Sequence, residues 1–401
     1  MSPSRRQFLG SVGVAFAGAF APTTATASPT PSLDWPMDRC DPAGTGYLPT
    51  ASGPKDGVEV TWSHETTDWF LGTAPPIRLG NTIYAVGSGL LALDADTGTK
   101  RFGAPGPYQS APARVPASAY TTDTLAVTAP SGVFGLNADG GVNVPFLDRS
   151  FGARRWVGPR SPGAGFFGPA ALKTPVAADG VVYTAIPGTN SVSALEPNDG
   201  SVLWRHTHHE NDAASAEFNR PAVREGLVYV TNWPNQATAY HAESGKRQWR
   251  RELDEQMVLA PVATEAGVVV PTRSGVRLLD AEDGTTLWRC SLDGNMTEGA
   301  PAVADRTIFV GDERATLHAV DVATGEVRWT TPFEGPTSPV VADGVVYAVR
   351  AGFSLLAFDA VSGERLFEYR PSQVPLSTPV VGDGVLYATN RRRVIALEES
   401  A

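Results

Sequence analysis

The side chains best suited to hold a metal gather in one stretch, His206-Thr207-His208-His209-Glu210. If the strand through Trp204 continues, His206 and His208 share one face, and imidazoles with a carboxylate suit Zn²⁺ or Cu²⁺. The stretch also opens into a polar loop, NDAASAEFN, where solvated histidines are ordinary, and a structural metal site needs a fuller set of spaced ligands. No resident metal is therefore expected. His64, His241 and His318 stand singly in strand or turn positions and read as scaffold.

Two cysteines occur, Cys40 and Cys290. In an oxidising compartment they could pair, or they could stay as two separately buried thiols. Asn295-Met296-Thr297 is a glycosylation sequon in a connecting loop. A second kind of chemistry, recognition of anions, is suggested by RSFGARRWVGPRSPGAGFFGP (149–169). It sets Arg154, Arg155 and Arg160 beside Phe151, Trp156, Phe166 and Phe167. Guanidinium forks bind carboxylates and phosphates bidentately, and aromatic residues are common at recognition surfaces. The same loop could instead cover one end of a central channel.

Whether these groups meet depends on the scaffold, which the sequence writes out several times. DADTGTKRF (94–102), EPNDGSVLW (196–204), HAESGKRQW (241–249), DAEDGTTLW (280–288), DVATGEVRW (321–329) and DAVSGERLF (359–367) share Gly at the fifth place and an aromatic at the ninth. NADGGVNVP (137–145) keeps the Gly, at 141, and loses the aromatic. A hairpin turn there needs positive φ, which Gly adopts without a Cβ clash. Upstream of each copy lies a second hairpin signal, clearest as SPVVADGVVYAV (338–349) and TPVVGDGVLYAT (378–389).

The repeated unit is thus four antiparallel strands about every 40 residues, the signature of a β-propeller. Pro76, Pro112, Pro175, Pro221, Pro261, Pro301, Pro339 and Pro379 open the first strands, so the all-β fold is expected to be an eight-bladed propeller spanning 58–401. Strands apolar on consecutive residues, such as Val345-Val346-Tyr347-Ala348-Val349, fit sheets covered on both faces. The last repeat ends after VIAL (394–397) without a fourth strand. Val58-Glu59-Val60-Thr61-Trp62 is expected to supply it and close the ring.

Propeller geometry sorts the loops onto two faces. Both sets of hairpin turns share one face, which is acidic, with Asp94, Asp96, Asp179, Asp199, Asp283, Asp343 and Asp383. The connections between second and third strands share the other. They collect Arg273, Arg314, Arg350, Arg391, Arg392 and Arg393 from blades five to eight, and the 149–169 loop is expected beside them. This face is the candidate contact surface for a protein partner or an anionic small molecule. A solvated rim, or arginines paired with loops such as ELDEQ (252–256), is the alternative.

Composition is that of a globular protein with many turns: 42% hydrophobic, 18% charged, 41 Gly and 33 Pro. A net charge of −10 argues against nucleic acid or anionic membrane as a general partner. Ser4-Arg5-Arg6-Gln7-Phe8-Leu9, an apolar stretch from Gly10 to Ala21 and Ala25-Thr26-Ala27 read as a twin-arginine signal over 1–27, followed by a lead-in segment over 28–57. The expectation is an exported, extracytoplasmic monomer with no transmembrane helix once the signal is removed.

The glycine-to-tryptophan turns, the Pro-Val-x-x-x-Asp-Gly hairpins and the eight-blade count resemble the pyrroloquinoline quinone (PQQ)-like repeat proteins, over roughly residues 34 to 400. That family includes quinoprotein alcohol dehydrogenases and the BamB-type outer-membrane assembly scaffold. WPMDRCDPAGTGYLP (35–49) is similar to the lead-in of exported, often haloarchaeal, members. The resemblance implies two functions. The dehydrogenases hold PQQ on the axis over a Trp and under adjacent cysteines, with Ca²⁺ on carboxylate and amide oxygens. This chain has no adjacent cysteines, so no catalytic residue carries over and no cofactor is expected. A non-enzymatic binding or assembly scaffold is the first reading, and a divergent PQQ- and Ca²⁺-dependent dehydrogenase acting on alcohols or sugars is the alternative.

Overall fold

The computed structural model describes residues 33–66, 74–144, 149–161, 173–208, 217–255, 258–292 and 299–400. The signal over 1–27, His209, Glu210, Phe166, Phe167 and Asn295 lie outside them. Eight four-stranded antiparallel sheets follow one another along the chain. Blade one runs Ile77–Leu79, Thr82–Val86, Gly89–Asp94 and Lys100–Pro105, and blades two to seven repeat that order. Blade eight takes Val380–Val381, Val385–Asn390 and Arg393–Glu399 from the end of the chain and Val58–Glu65 from its start. Glu65 lies opposite Arg393 and Val58 opposite Glu399, so the expected ring closure is what the chain forms.

The core lies between neighbouring blades. Every residue of Thr82–Val86 is buried, as is every residue of Gly267–Thr272 and Ser191–Leu195. This explains why the middle strands are apolar without alternation.

The repeated Gly and Trp form one device spanning two blades. Trp204 Nε1 donates to the Ala242 carbonyl of the next blade at 2.8 Å. Trp249, Trp288 and Trp329 do the same to Ala281, Val322 and Ala360 at 2.9, 2.9 and 3.0 Å. Trp62 closes the circle onto Ala95 of blade one at 2.9 Å. Each indole lies over the turn glycine beside that carbonyl. A Cβ on Gly325, where φ is +74°, would sit 2.7 Å from the Trp288 ring. The glycine therefore serves twice, adopting the left-handed turn and making room for a neighbour's indole.

The two phenylalanine blades have their own solution. Tyr84 Oη donates to the Ala138 carbonyl at 2.9 Å, so Phe102 needs only to pack against Gly140. Tyr347 Oη donates to Pro54 O at 2.8 Å where blade eight lacks that turn. Tyr84→Phe should cost about 1–2 kcal/mol in urea unfolding, because a buried carbonyl loses its donor. A cost near zero would mean the carbonyl finds another partner.

The acidic hairpin turns are built for local structure. Asp280 Oδ1 accepts the Glu282 and Asp283 amides at 2.8 and 3.1 Å, and Asp94, Asp321 and Asp359 cap their turns alike. Arg328 on the adjoining strand holds the Asp321 carboxyl down to about 2.

Blade two departs from the expectation. Its fourth strand is Arg154–Arg160, and Val142–Val144 pairs with Arg149–Phe151 in a separate two-stranded hairpin. Trp156, 6% exposed, is the missing ninth-place aromatic and donates to Pro197 O at 2.8 Å. The inserted hairpin lengthens the spacing from Gly141, which hides the match.

Candidate functional site

The ring has two ends, and the protein treats them differently. On the acidic face, residues 35–52 pass around the inside of the ring and touch the blades in order. Trp35 exchanges backbone bonds with Arg78 of blade one, and the Arg114 amide of blade two donates to Pro36 O. The Thr174 hydroxyl ahead of blade three bonds Asp38. Amides of Val223, Ala263, Val303 and Val341 in blades four to seven donate to Pro42, Ala43, Thr45 and Gly46 at 2.8–3.0 Å. Gly384 of blade eight donates to Ser52 O at 2.9 Å. The innermost strand of a blade is a sheet edge with inward amides to satisfy, and this strap satisfies them. The chain then leaves for Val58 and the rim.

Two guanidiniums are buried with the strap. Arg39 is 3% and Arg220 6% exposed. Arg220 Nη2 donates to Asp38 O at 2.8 Å and Asp41 O at 3.1 Å, while Arg39 Nη2 donates to Pro301 O at 2.7 Å. Gly44 and Gly46 allow the strap to lie against these groups, since a Cβ at either would meet a guanidinium nitrogen within 3 Å.

The other face carries the expected arginines. Arg273, Arg314, Arg391 and Arg392 are exposed at the turns between second and third strands of blades five, six and eight. Phe353, 62% exposed, fills the corresponding turn of blade seven, and Trp233, 45% exposed, that of blade four. Two arginines serve the frame. Arg350 is bonded to Glu368 at 2.8 Å, and Arg393 is paired with Glu65 at 2.5 Å across the closure seam.

Asp254 and Glu255 of the ELDEQ loop serve a residue that the sequence reading passed over. Arg277, 1% exposed, lies against Asp254 and against Glu255 at 2.7 Å, and Arg289 shares Asp254 at 2.6 Å. Arg289 first and Arg277 second hold the Asp254 carboxyl down to about 2. A carboxyl depressed on folding stabilises the protein fully above its unfolded value near 4 and loses that contribution as pH falls towards 2. Asp254→Asn should therefore shrink the fall in Tm between about pH 4 and pH 2 relative to the unmodified chain. An unchanged acid limb would show that the pair contributes nothing.

Other expected site residues fall elsewhere. Arg155 donates to Thr124 Oγ1 at 2.6 Å and lies 4.1 Å over the Tyr120 ring, on the hairpin-turn side. Arg154 begins the same strand at that side, so neither joins the arginine face. Arg160, at the opposite end of the strand, faces Gly132 beside the turn between second and third strands. Trp156 is spent on the blade interface. His206 stacks on Tyr240 with ring centroids 4.1 Å apart and donates from Nε2 to Gly245 O at 2.7 Å. His64 makes the equivalent bond to Gly98 O at 3.0 Å, so a residue two beyond the indole latches the next turn. His206 thus serves as a latch on the next blade's turn, while His209 and Glu210 of the same stretch lie outside the described residues.

Cys40 and Cys290 are separate buried thiols, one on the strap and one in blade five, and burial pushes both up. His318 Nε2 bonds the buried Asp312 carboxylate at 2.8 Å, a pairing with no sequence signature. Among the described residues no three His, Cys, Asp or Glu side chains converge on a metal position. The adjacent cysteines of the quinoprotein dehydrogenases have no counterpart, since Cys40 and Cys290 stand apart as free thiols.

Eight four-stranded blades closed by an N-terminal strand define the class, a PQQ-repeat propeller. A family model described as outer membrane protein assembly factor BamB matches residues 188–275 and 272–400, just over half of the chain, and the chain belongs to that family. BamB of Yersinia pestis is 27% identical over 232 residues, covering 52% of this chain and 58% of the relative. BamB of Xanthomonas campestris is 32% identical over 223 residues, covering 48% and 53%. The chain thus spans little more than half the length of these relatives. Among solved structures, BamB from Moraxella catarrhalis superposes with TM-score 0.63 at 14% identity, covering 86% of this chain and 98% of that one. Quinohemoprotein alcohol dehydrogenase from Comamonas testosteroni gives 0.71 at 14%, covering 94% and 82%. These two likenesses establish the fold.

Proposed function

We propose that this protein is an exported, extracytoplasmic, non-enzymatic scaffold that contacts acidic segments of a partner protein through the face carrying Arg273, Arg314, Arg391 and Arg392. The observation that carries the reading is the asymmetry of the ring: the strap lines the channel at the acidic end, while arginines and Phe353 line the turns of the other. Membership of the BamB family supports an assembly role. The surface follows from the chemistry of guanidiniums around an exposed aromatic, which suits carboxylate-bearing chains. Arg350, Arg393 and Arg160 support this face from its edges.

A photo-cross-linking residue at position 353, compared with one at Val361 on the hairpin-turn face, tests the surface in the native host. Val361 is 86% exposed and controls for accessibility. A discrete protein adduct from 353 and none from 361 is expected. Equal adducts, or adducts from 361 alone, would overturn the assignment. The dehydrogenase reading is opposed by titrating the protein with PQQ in excess Ca²⁺: the scaffold reading expects no saturable heat, and one-to-one binding would restore the enzyme.

A further inference from the structure

A cleft of about 480 Å³ opens between blades three and four, lined by His206 of one and by Gln236, Thr238, Tyr240, Arg247 and Arg250 of the other. Gln236, Thr238 and Tyr240 alternate along the third strand of blade four, so they share the face turned to His206, which stacks on Tyr240. Arg250 and Arg247 stand opposite Thr238 and Tyr240 on the fourth strand.

The cleft has a local cause. Thr238 pairs with the fourth residue of its second strand, and so do Leu356 and Ile395, the buried side chains that take its place in blades seven and eight. Blades five and six fill the same place with Arg277 and His318, each bound to an acid. Thr238 is shorter than any of these, and the space beside it stays open. Gln236 is 3% exposed, and no described residue bonds its side-chain amide. A buried amide without a partner costs free energy that a hydrogen-bonding ligand restores. Burial pushes the Tyr240 hydroxyl up, and the charges of Arg247 and Arg250 act against it, so both cations bear on the cleft. Among the described residues that line it there is no Asp or Glu.

We propose that this cleft binds a hexuronic acid, with the carboxylate on Arg247 and Arg250, hydroxyls on the Gln236 amide and the Thr238 hydroxyl, and the sugar ring against Tyr240 and His206. Guanidiniums take carboxylates, and a side-chain amide both donates and accepts, as a row of hydroxyls requires. A second acid group would face neutral Gln236, which favours a ligand with one. The volume is that of a small-ligand pocket, about 300–1,000 Å³. A free hexuronate and the end of an acidic polysaccharide present the same chemistry.

Titration calorimetry of the full chain with sodium galacturonate and sodium glucuronate tests the site. Saturable one-to-one binding of at least one is expected, with glucose and acetate each about tenfold weaker or worse, since each lacks half of the recognised groups. Trigalacturonate binding more tightly than galacturonate would identify a polysaccharide end as the source, and equal binding the free acid. Thr238→Leu, which copies the occupant of blade seven, should abolish the heat and keep a cooperative unfolding transition. Arg247→Ser, at an exposed position, should weaken binding about tenfold and decides alone if the leucine variant does not fold. No saturable heat from either uronate, acetate binding as tightly as they do, or uronate binding untouched by the folded variants would overturn the proposal.

Discussion

Removal of Val58–Glu65 should abolish the single cooperative unfolding transition of the ring. These residues pair along Arg393–Glu399, set Trp62 over Gly98 of blade one and bring Glu65 to Arg393. Trp62 is half-buried, so its loss costs part of the about 3–5 kcal/mol of a core Trp, and net stabilities of folded domains are about 5–15 kcal/mol. Opening the seam also uncovers the edge of Arg393–Glu399 and cuts the strap from its exit. Calorimetry should show a broad, low-temperature transition or none. A sharp transition within about 2 °C of the full chain would show that closure by this strand is dispensable.

The second large effect separates the two tasks of the turn glycines. Gly325→Ala should cost about 2–4 kcal/mol, the sum of a left-handed alanine and a Cβ driven against Trp288. Gly344→Ala has nearly the same φ, +73° against +74°, and nothing within 4 Å of its Cβ. It should lose only about 1–2 kcal/mol, the backbone share. The difference between the two in urea unfolding measures the blade-to-blade contact. Equal losses would mean that the indole moves aside without penalty and that the repeated glycine is there for turn geometry alone.

These paired variants mark how far the sequence was legible. The Gly and Trp of 280–288 and 321–329 recur at fixed spacing, so blade number and ring closure could be read directly. That Trp288 packs on Gly325 of the following blade could not, because each motif shows one half of a contact made between blades. Trp156 was hidden for a different reason. The hairpin Val142–Val144 with Arg149–Phe151 separates it from its turn, and spacing was the signal in use.

The strap left still less trace. Its bonds to Arg114, Val223, Ala263 and Val303 run through main-chain amides, which carry no side-chain signature. Gly44 and Gly46, close together in the lead-in, were the available hint of close packing. On the arginine face the sequence placed Arg273, Arg314, Arg391 and Arg392 on one side, since loop order in a propeller fixes the face. It could not assign Arg350 to Glu368 or Arg393 to Glu65, because ion pairs depend on which side chains the fold brings together.

The account turns on electrostatic recognition through that face, and reversing its charge tests it most directly. Arg391→Glu with Arg392→Glu should still give a folded protein with a cooperative calorimetric transition. It should also reduce the adduct from a cross-linker at position 353 by about tenfold or more in the native host, the loss expected when like charges meet at an interface. An undiminished adduct from a folded variant would contradict the account and place the partner contact elsewhere on the ring.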